Sequence, residues 1–150
     1  MDQQAKERVI IAKDALKWIR AGALLPQQML YVSPIDTPVF TDEQRQQQLR
    51  DVVLGRCETC MKGALFLSKA FNFDNVLATA YCDPDAIDKA LEEHFSIEQY
   101  KSMERTFEAW NNGTPAEIKF IEKYPQPKQR MMAILKNVIK NKGTFMPEKL

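Results

Sequence analysis

Cys57 and Cys60, in the run Cys57-Glu58-Thr59-Cys60, are the residues of this chain whose type and spacing most invite chemistry. Two thiolates three positions apart can hold a tetrahedral metal or cycle through a disulfide. Cys82 and His94, the only histidine, would complete a four-ligand zinc set of Cys57, Cys60, Cys82 and His94. The spacing departs from most zinc modules, because 21 residues separate Cys60 from Cys82 and 11 separate Cys82 from His94, so the second tight pair is missing. Both close cysteines also fall on an apolar stripe, and free cysteine commonly behaves as a small buried hydrophobe. Core thiols without a cofactor are therefore expected, with zinc binding or thiol redox chemistry as the alternative. His94 follows two glutamates near a helix end, where nothing places a nucleophile and an orienting group around it, so a solvated or capping role is expected.

Carboxylates offer little more. Asp85, Asp88 and Glu92 share a helical face, as do Glu104 and Glu108, but the repeated Glu-x-x-His pairs of a di-iron bundle do not occur. Neither does a P-loop, a dinucleotide-binding glycine fingerprint, Gly-x-Ser-x-Gly or His-Glu-x-x-His. A protein that is not an enzyme is the reading these absences leave.

Charge is distributed more tellingly than the formal net of +1 suggests. Residues 125–150 hold six basic side chains against one acidic, a net of +5, while residues 83–108 hold three basic against eight acidic, a net of −5. Mutual neutralisation of two neighbouring helices is expected, and a dipole that steers a charged partner is the alternative. Lys128, Arg130, Lys136 and Lys140 form the stripe predicted to contact a partner. Nucleic-acid phosphates could meet the same stripe, although one row of cations beside an acidic segment is a modest footprint.

The elements that must carry these residues read as helices. With 45% hydrophobic and 27% charged residues and only 5 glycines, the 150-residue chain has the composition of one ordinary globular domain. No uncharged apolar run approaches 18 residues and MDQQAKER has no apolar core, so no membrane span or signal peptide is predicted and a cytoplasmic location is expected. Leu49 to Phe71 has the densest apolar pattern: Val53, Cys57, Cys60, Ala64, Leu67 and Phe71 recur at steps of three or four beside a second stripe through Leu54, Met61 and Leu65. A helix with two apolar stripes is buried from more than one side, so it should be central, with a kink or break at Gly55.

Around it the spacing predicts a first helix from Gln3 to Arg20 stopped by Gly22, and a proline-rich extended connection with a short strand near Met29 to Val32. Thr41 and Gln44 form a capping-box start, and a short helix is predicted over 75–81. Further helices should begin at Asp83-Pro84, at Ser96 with a second capping box to Gln99, and at Thr114-Pro115. The Ser96 helix should run to Asn111-Asn112-Gly113 with Trp110 ending its apolar stripe, and the Thr114 helix should make its contacts through Ile118 and Ile121. The last helix, Pro127 to Asn141, should turn Met131, Ile134, Leu135, Val138 and Ile139 inward, with Phe145 folding back as a clasp. The expected fold class is all-α, one domain of about five to seven helices around the buried helix near residues 49–71.

Three stretches, CETCMKGALFLS from Cys57, FSIEQYKSMERTFE from Phe95 and MMAILKNVIKNKGTFMP from Met131, resemble uncharacterised small helical proteins of phage, prophage and bacterial genomes. The resemblance covers less than half the chain and brings no activity with it. It implies a phage or mobile-element origin, a setting in which small proteins without enzyme motifs often bind and block a host macromolecule, defence nucleases among them.

Overall fold

Asp2 opens the first helix. Its carboxylate accepts the Ala5 amide at 2.6 Å, satisfying one of the donors that a helix N-terminus leaves free, and α1 runs Gln3–Arg20. Ala5, Ile11, Ala12, Ala15, Leu16 and Ile19 turn inward, and Gly22, at φ +80, takes the left-handed backbone that ends the helix. This computed structural model describes residues 1–28, 33–34, 57–73 and 84–150.

Three short strands follow: β1 (Leu24–Pro26), β2 (Ser33–Pro34) and β3 (Cys57–Thr59). β3 lies in the middle, parallel to β1 with Leu24 opposite Cys57, and antiparallel to β2 with Ser33 opposite Glu58. Both strand prolines, Pro26 and Pro34, sit on edge strands, where a missing N–H is tolerated.

Beyond the sheet come α2 (Met61–Phe73), α3 (Pro84–Glu92), α4 (Ile97–Glu108), α5 (Pro115–Lys123) and α6 (Pro127–Lys140). The fold is all-α in character, 66% of the described residues being helical. α2 packs against α1, α3 and α4, while α6 packs against α1 and also meets α4. Every residue from Thr59 to Ala70 is buried, so the central position expected of this stretch is real.

Its extent requires correction. The helix predicted from Leu49 to Phe71 is not continuous: Cys57, Glu58 and Thr59 give their backbone to the sheet, and α2 starts at Met61. A short apolar run cannot be assigned to helix or buried strand by periodicity alone, and here a pairing partner more than 30 residues away decided it. Residues 49–56 with Gly55, the helix start at Thr41, the strand near Met29 to Val32 and the short helix over 75–81 lie outside the described residues.

Smaller corrections have local causes. α4 ends when Ala109 adopts φ 59, so Trp110 leaves the stripe and is 43% exposed. Ser96 caps α4 as expected by accepting the Gln99 amide, but the Gln99 side chain does not complete a box. It instead accepts from Phe145 N at 2.7 Å and donates to Phe145 O at 3.2 Å. The Thr114–Glu117 capping box is complete, and α5 buries Glu117 and Phe120 rather than Ile118 and Ile121, which are only partly covered. Phe145 does fold back, edge-on to Phe120 with centroids 5.5 Å apart. The segment reaches that position through Gly143, at φ +94, where a Cβ would lie 2.7 Å from the Ala5 carbonyl oxygen.

Candidate functional site

Cys60 stands immediately before α2, with its carbonyl accepting the Ala64 amide at 3.0 Å. Burial pushes its thiol up to about 11, although the Gly63 and Lys62 amides at the helix start pull the other way. A thiol in that state is neutral at physiological pH. A rise of this size lowers the thiolate fraction on the order of a hundredfold, so alkylation of the Cys60 peptide at pH 8 should be suppressed by at least about that factor until the chain is unfolded, as peptide mass mapping would report.

His94 is not solvated, as its flanking glutamates suggested, but 8% exposed. Its ring lies 4.9 Å from that of Phe73, and Nδ1 is 3.0 Å from Glu7 Oε2, outside hydrogen-bonding geometry. Phe73 ends α2 and Cys60 precedes it, so at 1.5 Å per residue about 18 Å of helix separates the Cys60 end from the His94 end. The structure therefore does not bring Cys60 and His94 together. Cys57 lies in β3; its side chain and the whole of Cys82 fall outside the described residues. Among the described residues no group of three or more His, Cys, Asp or Glu side chains is arranged to hold a metal.

The acidic segment is neutralised from an unexpected direction. Lys62 and Lys69, seven residues apart and thus on one face of α2, are almost fully buried. Lys62 Nζ lies 2.9 Å from Asp88 and 3.0 Å from Glu104, and 5.4 Å from the centre of the Tyr100 ring; Lys69 Nζ lies 2.7 Å from Glu93. Burial works against the Lys62 ammonium, but the two carboxylates outweigh it and raise its pKa. Tyr100, which donates to Glu92 at 3.1 Å, has its phenol pushed up to about 12, first by burial and then by that carboxylate. Among the described residues, Asp88, Glu93 and Glu104 thus pair with lysines of the core helix.

A second buried carboxylate ties α4 to α5. Glu117, 1% exposed, accepts from Arg105 Nε at 3.1 Å, Arg105 Nη2 at 3.0 Å, Ser102 Oγ at 2.5 Å and Thr114 N at 2.8 Å. Burial disfavours its charge, yet these donors prevail and hold its pKa below the ordinary value. Such a group stabilises the fold fully above the unfolded-state carboxylate value, and that contribution is lost as pH falls through the folded one. Glu117→Gln should cost about 1–2 kcal/mol at pH 7, and in urea unfolding its deficit against wild type should close below about pH 4.

The predicted partner-binding stripe divides in two. Arg130 is 1% exposed and cannot contact a partner. Its guanidinium reaches back across the α4, α5 and α6 junction, donating to the carbonyls of Phe107 (Nε, 3.0 Å), Tyr124 (Nη1, 3.0 Å) and Pro125 (Nη1, 2.9 Å). Burial lowers its pKa, and the negative field of Glu108 opposes that. Lys128, Lys136 and Lys140 are exposed and form no ion pair with any described residue.

No known protein family, curated protein or solved structure matches the chain.

Function must therefore be read from surface chemistry. A cleft of about 380 Å³ opens between α5, α6 and the last residues, with Phe120, Tyr124, Met132 and Ala133 as apolar lining and Lys136, Lys140 and Lys149 as its charged side chains. No carboxylate side chain lines it. A second hollow of about 310 Å³ lies beside His94, but Arg8, its one arginine, already donates to the carbonyls of Gly143 at 2.7 Å and His94 at 3.0 Å. In the first cleft, three exposed lysines border apolar surface. The sequence reading named Lys136 and Lys140 as partner-contact residues on a helix face, without a cleft, and did not name Lys149, whose position depends on how residues 143–150 return over α6. No helix among the described residues is long and apolar enough to cross a membrane.

Proposed function

We propose that this protein is a non-enzymatic interaction protein, encoded by a phage or mobile element, that binds and inhibits a host macromolecule such as a defence nuclease through the exposed face of α6. The observation that carries the reading is the contrast among basic side chains. Lys62, Lys69 and Arg130 are buried and serve the fold, whereas Lys136 and Lys140 are held in water at the edge of an apolar cleft. A patch with an apolar centre and a polar, charged rim has the anatomy of a protein-binding surface. The origin rests on the three stretches that resemble phage and prophage proteins.

Affinity capture from host lysate tests it. Wild-type protein should retain a specific host protein, and the charge reversal Lys136→Glu with Lys140→Glu should reduce that retention at least about tenfold without changing the melting temperature. Retention that survives the reversal would move the contact off this face.

A further inference from the structure

We infer that the cleft between α5, α6 and the chain's last residues accepts a carboxylate-rich segment of a partner protein that inserts one apolar anchor side chain. The inference rests on the reading above and supplies the chemistry of the partner.

The lining separates the two parts of such a segment. Met132 and Ala133, half-buried on α6, and Tyr124 at the end of α5 offer apolar surface above the buried Phe120 ring. Met132 can adapt to an anchor of irregular shape, since an unbranched thioether has three rotatable bonds. Lys136 and Lys140, one helical turn apart, set two ammonium groups along one edge, and Lys149 supplies a third from the returning segment. Leu150 adds apolar surface from the same returning segment, and no carboxylate side chain stands among the lining residues.

The wall that carries Lys149 is fixed in advance. Asn137 donates to the carbonyls of Met146 and Lys149, both at 2.8 Å, and accepts the Met146 amide at 2.8 Å. A wall already ordered adds little entropic cost when a ligand arrives. The volume, about 380 Å³, falls within the range of about 300–1,000 Å³ usual for recognition pockets.

The same cations would attract phosphates, but two features favour a peptide over nucleic acid. The planar donor fork that reads phosphate and base edges is missing, because Arg130 is committed to backbone carbonyls inside the fold. Tyr124, the half-exposed aromatic of the lining, is packed on Phe120 at 5.1 Å with Lys123 Nζ 5.6 Å from its centre, so it makes a poor stacking platform for bases.

The test is a titration of the ¹⁵N-labelled full chain, followed by amide shifts, with three probes: a short peptide of glutamates and aspartates around one tryptophan, the same peptide with serine for tryptophan, and single-stranded oligothymidylate. The tryptophan peptide should shift the amides of Tyr124, Met132, Ala133, Lys136 and Lys140. Its affinity should fall at least about tenfold when serine replaces the anchor, and again in Lys136→Glu with Lys140→Glu, and it should weaken as salt rises. Ala133→Glu, which places a negative charge on the lining at a partly exposed helical site, should abolish the shifts with melting unchanged. Absence of shifts at these amides overturns the inference, as does oligothymidylate shifting them at lower concentration than the peptide. If the peptide fails while lysate capture still depends on Lys136 and Lys140, the partner chemistry is wrong and the face stands. If the peptide binds as described while capture ignores the charge reversal, the cleft has this specificity and the functional reading falls.

Discussion

Arg130→Met should lower the free energy of unfolding by about 3 kcal/mol, whereas Lys136→Met, six residues along the same helix, should change it by no more than about 0.5 kcal/mol. The two cations differ in what they leave behind. Without the guanidinium, the Phe107 carbonyl loses both buried donors, Nε and Nη2, and the part-buried carbonyls of Tyr124 and Pro125 lose Nη1, where an orphaned buried group costs about 1–3 kcal/mol and a carbonyl that water reaches costs less. Phe107 O is spared part of this, because Gln28 Nε2 also donates to it at 3.3 Å. Some of the loss is offset because a cation no longer has to be held away from water, and so the net cost stays below the sum of the orphaned carbonyls. Lysine at this position should recover less than half of the deficit, since a single ammonium cannot span carbonyls on both sides of the junction as the planar fork does. Urea unfolding of the three variants would settle the point. A near-neutral Arg130→Met would mean that the junction carbonyls find other partners and that Arg130 is not the clasp described here.

Lys62→Met should be at least as damaging, by about 3–5 kcal/mol at pH 7. It leaves Asp88 and Glu104, whose side chains are 30% and 16% exposed, facing one another without the cation that joins them. Residual exposure of Asp88 moderates the cost, so the lower half of that range is expected. The effect should shrink in acid as the two carboxylates protonate, and the triple variant K62M/D88N/E104Q should regain most of the loss, because removing a buried charge cluster as a unit is far cheaper than breaking it. If the triple variant were as unstable as the single one, packing of the lysine stem along α2, and not its charge, would be the cause.

Both residues bear on how the charges of this chain should be read. The opposed net charges of 83–108 and 125–150 suggested two helices neutralising one another. In the fold, Asp88, Glu93 and Glu104 turn to Lys62 and Lys69 of α2, which leaves Lys128, Lys136 and Lys140 outside that network. A basic face without that counter-charge is a consequence of how the acidic helices were satisfied, and it is the reason the cleft beside it is the candidate contact surface.

Much of this was legible in the residues themselves. Local chemistry carries its own geometry: the apolar spacing of α1 and α6, the left-handed stop at Gly22 and the caps at Ser96 and Thr114 all follow from neighbours within a few positions. Even Arg130 had a signal, since it lies three or four residues from Pro127, Ile134 and, at seven, Asn137, along the border of the buried stripe where Lys136 does not. Its charge type obscured its position. Lys62 and Lys69 likewise sit seven apart inside a run that is buried all round.

The sequence by itself thus determined an all-α fold, its capped helices and a cation-rich last helix, because those depend on interactions between residues close in the chain. Only the tertiary structure decided that Cys57–Thr59 is a strand, since its partner lies at Leu24–Pro26. It also decided that Gln99 serves Phe145 rather than its own helix start, that Cys60 and His94 stand at opposite ends of α2, and that Lys149 joins Lys136 and Lys140 around one cleft. Each of these is a choice between equally good local partners, and packing makes it by placing a distant backbone or side chain where burial leaves no alternative donor or acceptor.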